Sequence, residues 1–225
     1  SLKDLKIHIW RDEWLESKSI IDKCPDMVRF PLNYFGDTAL HLAAESFRGE
    51  IVKELVKRMR PEDMVIPNSD GDTALHVAAR QSSPRIVNKL VKRMRPEDMR
   101  IQNSLGDTAL HVAVSEGRGD IMNELVKRMG PEDMRIQNSL GDTALHVAVS
   151  EGRGDIMNEL VKRMRPEDMR IQNSSGDTVL HLAVSEGYMA GIVKELVKCM
   201  STEDMLKQNS SGDTAFHVAI RLHRF

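Results

Sequence analysis

Apolar residues fall along this chain at helical spacing, in short bursts that come in pairs. Leu110, Ala113 and Val114 stand at i, i+3 and i+4, which predicts a helix with one buried face. Thr108 occupies the N-cap position just before it, and Glu116-Gly117-Arg118-Gly119 ends it. Ile121, Met122, Leu125, Val126 and Met129 then predict a second helix with one apolar face. Pro131-Glu132-Asp133-Met134 predicts a short helical turn that is acidic at its start. From Ile136 to Gly141 the helical period is lost, and Asn138, Ser139 and Gly141 predict a strand running into a tight turn. The same order recurs upstream, where Ser83 as N-cap and Pro84 at the first helical position open the second helix of a pair.

The pattern is a repeat. Gly-Asp-Thr begins at Gly36, Gly71, Gly106, Gly141, Gly176 and Gly212, in steps of 35 residues with a last step of 36. Units 106–140 and 141–175 differ only at Gly130 versus Arg165 and Leu140 versus Ser175. The extra residue of the last step is expected in a turn at Tyr188-Met189-Ala190-Gly191, where an insertion costs little. The organisation predicted is a divergent N-terminal capping unit at 1–35, five repeats over 36–211 and an incomplete repeat at 212–225, forming a single array. Neither helix of a pair can bury its stripe alone, so neighbouring units must cover one another.

Gly-Asp-Thr-Ala-Leu-His-Val-Ala-Val-Ser-Glu-Gly, followed by Ile-Met-Asn-Glu-Leu-Val, resembles the ankyrin repeat signature, with Ala where that signature has Pro and with units two residues longer. The resemblance covers residues 36–225 and implies an all-α repeat fold: an ankyrin solenoid of stacked helix-turn-helix units with β-hairpin-like connecting loops. The segment Leu-Val-Lys-Arg-Met-Arg-Pro-Glu-Asp-Met, the Gln-Asn-Ser that follows, Trp14 and the stretch Cys24 to Arg29 resemble plant ankyrin proteins of the accelerated-cell-death type. Members of that group usually carry C-terminal transmembrane helices, so the resemblance implies a cytosolic part of a membrane-anchored stress or defence signalling protein.

Composition narrows the classes further. With 40% hydrophobic and 29% charged residues, the chain can bury a core and is neither disordered nor collagen-like. A formal net charge of −2 argues against a strongly basic nucleic-acid binder. Two cysteines, Cys24 and Cys199, fit a reduced compartment. No apolar run approaches a membrane span and no signal peptide opens the sequence, which leads us to expect a soluble cytoplasmic piece with no membrane contact of its own.

Several motifs invite chemistry and have plainer explanations. His41, His76, His111, His146, His181 and His217 share one repeat position, yet neighbours in such a stack stand roughly 10 Å apart and zinc needs ligands at about 2.0–2.1 Å. We therefore assign the Thr-x-x-His positions Thr73/His76, Thr108/His111, Thr143/His146 and Thr178/His181 to structure, Thr capping the helix and the imidazole bonding the connecting backbone. Arg118-Gly119-Asp120 and Arg153-Gly154-Asp155 spell an adhesion tripeptide but fall in inter-helix turns. Methionine pairs five apart, such as Met59/Met64, suit packing better than copper. Asp37, Asp72, Asp107, Asp142, Asp177 and Asp213 precede inner helices, and Lys57-Arg58, Lys92-Arg93, Lys127-Arg128 and Lys162-Arg163 end outer ones. Each such charge gains about 0.3–1 kcal/mol from the helix dipole, which outweighs a mutual repulsion of about 0.4 kcal/mol at that spacing. No phosphate-binding loop, His-Glu-x-x-His or Cys-x-x-Cys is present, and no catalytic group, cofactor or metal is expected.

The resemblance places partner contacts on hairpin tips and inner-helix ends. At matching positions these are Tyr34, Phe35, Asp70, Asp72, Arg80, Leu105, Asp107, Glu116, Leu140, Asp142, Glu151, Asp177 and Glu186. The expected occupant is a basic or amphipathic protein segment, with no nucleic acid. The alternative is a structural array that self-associates at its C-terminal end, where the unit stopping at Phe225 leaves Leu180, Val184, Ile192 and Leu196 without a full cover.

Overall fold

The computed structural model describes residues 1–187 and 189–222. Among them are fourteen α-helices and no strand. In chain order they are α1 (Leu2–Trp10), α2 (Trp14–Lys23), α3 (Ala39–Glu45), α4 (Gly49–Arg58), α5 (Ala74–Arg80), α6 (Pro84–Val91), α7 (Ala109–Ser115), α8 (Gly119–Val126), α9 (Ala144–Ser150), α10 (Gly154–Val161), α11 (Val179–Ser185), α12 (Met189–Cys199), α13 (Thr202–Met205) and α14 (Ala215–Arg221). Short 3-10 turns occupy Pro25–Arg29, Pro61–Asp63, Pro96–Arg100, Pro131–Arg135 and Pro166–Arg170, the Pro-Glu-Asp-Met sites among them.

Contacts group the chain into two compact units, residues 1–113 with 120–128 and residues 114–119 with 129–225. In the first, α3 packs on α5 and α4, α1 on α2 and α3, and α6 on α4 and α5. In the second, α9 packs on α10 and α11, while α11 also meets α12 and α14. The predicted stripes supply the cores. Leu40, Ile51, Leu55, Leu75, Ile86 and Leu90 are buried in the first unit, and Leu145, Met157, Leu160 and Leu196 in the second. Small Ala43, Ala78 and Ala148, all fully buried, let inner helices approach closely. The paired methionines sit in these cores, Met59 and Met64 at 4% and 2% exposure.

Three expectations change. The strand expected from Ile136 to Gly141 is an extended segment that closes in a tight turn, where Asn138 N–H donates to Asp142 O and Gly141 N–H to Asn138 O, both at 2.9 Å. Neighbouring tips share a single backbone bond, as when Ser174 N–H donates to Leu140 O at 3.0 Å, too little for a strand ladder. The extra residue does not lie wholly in a turn. Tyr188 is outside the described residues, and Gly191 lies within α12, which has 11 residues where α10 has 8. Finally, Leu180, Ile192 and Leu196 are buried at 5%, 8% and 0% exposure and Val184 is half-buried, α11 packing against both α14 and α12. The exposed apolar residues near that end are Phe216, Ile220 and Leu222, and Phe225 lies outside the described residues.

Candidate functional site

The tip of each repeat is built from one asparagine and one aspartate. In the first unit, Asn68 Oδ1 accepts from the N–H groups of Asp70 and Asp72, both at 3.0 Å, which fixes the turn. Its Nδ2 donates across to Asp37 Oδ1 of the preceding repeat at 2.9 Å. Asn103 does the same to Asp72 at 2.8 Å. In the second unit, Asn173 donates to Asp142 at 2.9 Å and Asn209 to Asp177 at 2.8 Å. Glycine then closes the turn for two reasons. Gly141 has φ +74°, and a Cβ there would stand 2.5 Å from Ser174 N.

Behind the tips, four histidines, His41, His76, His146 and His181, each join two repeats. Thr73 N–H donates to His76 Nδ1 at 3.1 Å, so Nδ1 is the bare nitrogen and Nε2 carries the proton. That proton goes to Asp107 O at 3.0 Å. His41 reaches Asp72 O at 2.9 Å, His146 reaches Asp177 O at 3.3 Å and His181 reaches Asp213 O at 3.0 Å. His111 and His217 receive the N–H of Thr108 and Thr214 in the same way, as His146 and His181 receive those of Thr143 and Thr178. Burial pushes His41, His76, His146 and His181 below the ordinary imidazole value, the direction this neutral bonding pattern requires.

A third device sits beneath the outer helices. The aspartate of each Pro-Glu-Asp turn is buried and caps its own turn, as where Asp98 Oδ2 accepts from Arg95 N–H at 2.9 Å. At two of these turns the charge meets two guanidinium groups, one from its own repeat and one from the repeat before. Asp63 pairs with Arg60 at 3.2 Å and with Arg29 at 2.9 Å. Asp168 pairs with Arg165 and Arg135, both at 3.2 Å. The arginines of the two adhesion-like tripeptides stand in inter-helix turns, where Arg153 Nη2 donates to Ser115 O at the end of the preceding inner helix.

These bonds sort the candidate contact residues. Asp72 is 1% exposed, and its carboxylate is taken by Asn103 and by Arg80 at 2.8 Å, so Asp72 is scaffold and no partner can reach it. Arg80 is the other half of that ion pair. Asp142 and Asp177 are half-buried and already accept from asparagines, and Asp107 is half-buried as well. The open positions are different ones. In the first unit Tyr34 is 92% exposed and meets Phe35 edge-on at 5.9 Å, with Asp70 and Leu105 on later tips. In the second unit Leu140 stands open on a tip, and Glu116, Glu151 and Glu186 are exposed just beyond inner helices. The backbone at Leu105 and Leu140 is tied, each N–H donating to the tip asparagine at 3.0 Å, so the leucines are held outward on fixed turns.

A family profile described as ankyrin repeats, in three copies, matches residues 17–97, 86–167 and 157–225. The chain belongs to the ankyrin-repeat family. The crystal structure of the ankyrin repeat domain of Bcl-3, a unique member of the IkappaB protein family, is similar over 99% of this chain and 98% of that one. Its TM-score is 0.84 at 23% identity, a likeness of fold alone. The crystal structure of EF0377, an ankyrin repeat protein, covers 89% of this chain and 99% of its own at TM-score 0.76 and 26% identity. No curated protein matches the chain in sequence. Ankyrin repeats mediate protein–protein interaction and are typically non-catalytic. Among the described residues no helix is long and apolar enough to cross a membrane, and no group of three His, Cys, Asp or Glu side chains could hold a metal.

Proposed function

We propose that this ankyrin-repeat protein is a non-catalytic scaffold that grips a basic or amphipathic protein segment through its repeat tips and inner-helix ends. The observation that carries this reading is the exposure of large apolar side chains on asparagine-fixed turns: Tyr34, Phe35 and Leu105 in the first unit and Leu140 in the second, with the N–H groups of Phe35, Leu105 and Leu140 each bonded to a tip asparagine. Apolar anchors on rigid supports suit binding because little ordering entropy remains to be lost. Asp70, Glu116, Glu151 and Glu186 give these faces their negative charge. The resemblance to plant proteins of the accelerated-cell-death type would put the scaffold in stress or defence signalling at the cytosolic side of a membrane.

The test uses a panel of basic amphipathic peptides with Leu105→Ser and Leu140→Ser made singly. Each leucine is 67% exposed, so the melting temperature stays the same, while capture weakens by about 2 kcal/mol if the side chain is an anchor. Unchanged capture in both variants sinks the proposal. A second reading, self-association, rests on exposed Phe216, Ile220 and Leu222 of the α14 region. A mass that stays monomeric in light scattering across a concentration series excludes it.

A further inference from the structure

The outer helices are not electrostatically alike. In α4, Glu54 takes Lys57 at 2.6 Å and Arg58 at 2.9 Å, and these partners hold its carboxyl down at about 2. In α10, Glu159 takes Lys162 at 2.6 Å and Arg163 at 2.8 Å. Helix α6 breaks this rule. From Ser82 to Arg95 the chain carries Arg85, Lys89, Lys92, Arg93 and Arg95 and no acid, because Lys89 stands where other repeats have glutamate. Lys89 turns back to Gly49 O at 2.8 Å and Glu50 at 3.2 Å, and Arg95 is held by Asp98. Arg85, Lys92 and Arg93 are left exposed with no ion pair among the described residues.

A neighbouring change enlarges the gap. Asn88 of α6 donates to Glu124 Oε2 of α8 at 2.7 Å, and Lys127 takes Oε1. Both oxygens of Glu124 are thus occupied, and Arg128, the counterpart of paired Arg58 and Arg163, is exposed with no ion pair among the described residues. Lys92 and Lys127 both act on Glu124 through space, while Arg93 and Arg128 have no carboxylate partner among the described residues.

We infer that this outer face of the first unit, centred on Lys92, Arg93 and Arg128, docks an acidic peptide segment. Arg93 and Arg128 are one repeat apart, roughly 10 Å, and an extended peptide advances about 3.3 Å per residue. Carboxylates three residues apart therefore match the two guanidinium groups. A nucleic acid fits less well, since residues 84–95 contain no aromatic side chain on which a base could stack. A membrane fits less well too, because Ile86, Val87, Leu90 and Val91 are all buried and nothing apolar projects into lipid. The face is separate from the tips and stands whether or not they bind a partner.

The experiment is fluorescence anisotropy on the full chain with a labelled twelve-residue peptide of Glu-Ser-Ser repeats, at low and at physiological salt. Arg93→Glu with Arg128→Glu is compared with Lys162→Glu plus Arg163→Glu, an identical charge change on α10. Binding that weakens with salt, falls at least about tenfold in the first variant and less than about threefold in the second supports the proposal. No binding at low salt, or equal losses in both variants, overturns it. Duplex DNA or anionic vesicles that bind more tightly with the same variant dependence overturn the peptide assignment in favour of nucleic acid or lipid. Circular dichroism melts of both variants show whether a loss reflects unfolding, and Arg93→Gln with Arg128→Gln, expected to lose about half as many decades of affinity, provides the milder check.

Discussion

The two compact units solve the same inter-helix turn with different residues. Each turn places one residue in the left-handed region. In the first unit these are Asp12, Phe47 and Ser82, with φ near +60°, and in the second they are Gly117, Gly152 and Gly187. The left-handed conformation costs a residue with a Cβ about 1–2 kcal/mol and glycine nothing comparable. The first unit therefore carries turns that its fold tolerates without being optimised for them. Phe47 is the sharpest case, an aromatic side chain 57% exposed on a strained backbone. The outer helices differ in the same sense, with glutamate neutralising the bases of α10 and none in α6. The non-glycine left-handed turns and the acid-free outer helix lie in the first unit, while the second has glycine turns together with the longer α12.

Four measurements probe this contrast, the tip glycines giving the largest effect. Gly176→Ala meets both the left-handed backbone and a Cβ 2.5 Å from Ser210 N, whereas Gly212 has φ +78° and nothing within 4 Å. We expect a loss of about 3 kcal/mol or more for Gly176→Ala and about 1 kcal/mol for Gly212→Ala, read from urea unfolding. Equal losses would mean that the crowding is relieved by movement. Next come the joints. His76→Leu in the first unit and His146→Leu in the second each leave a threonine N–H and an aspartate carbonyl without their partner, for about 2 kcal/mol apiece.

Acid should act on both units through the same residues. The folded-state values of His41, His76, His146 and His181 lie below the ordinary 6.5, so between that value and the lowered one the unfolded chain binds more protons. Stability therefore falls as pH drops below about 6.5, levels off once the folded histidines also protonate, and owes nothing to them above pH 7. Denaturant midpoints at pH 7.5, 6.5 and 5.5 check the direction, and a midpoint unchanged to pH 5.5 would contradict it. The smallest effect separates the turns by sign. Phe47→Gly should stabilise by about 0.5–1 kcal/mol, while Gly152→Ala should destabilise by about 1 kcal/mol.

The helix pairs were legible because apolar spacing is a local signal. Leu110, Ala113 and Val114 need no knowledge of a neighbour to be read as one face. The Thr-x-x-His positions were legible for the same reason, three residues being one turn. The asparagine hook was not. Asn68 and Asp37 lie 31 residues apart, and both recur in every repeat, so periodicity marks them as important without saying that they meet. Their regularity was the available signal: Asn33, Asn68, Asn103, Asn138, Asn173 and Asn209 each stand three residues before a tip glycine. The buried Asp63 and Asp168 read only as helix-start charges, since one arginine of each comes from the preceding repeat. The same blindness put Asp72 among partner contacts, because a repeated acid looks exposed until its internal partners are known. The tip residues Tyr34, Leu105 and Leu140 are exposed, but which charges remain open depends on the bonds.

The central claim is that, within each compact unit, the buried, neutral imidazoles of His41, His76, His146 and His181 join one repeat to the next and thereby commit the repeated polar residues to the scaffold. Nitrogen-15 NMR of the imidazoles at pH 7 tests it directly. His76 and His146 should show protonated Nε2 and bare Nδ1, with Nε2 protons that exchange slowly. Rapidly exchanging imidazoles in mixed tautomers, already partly protonated at pH 7, would contradict the account.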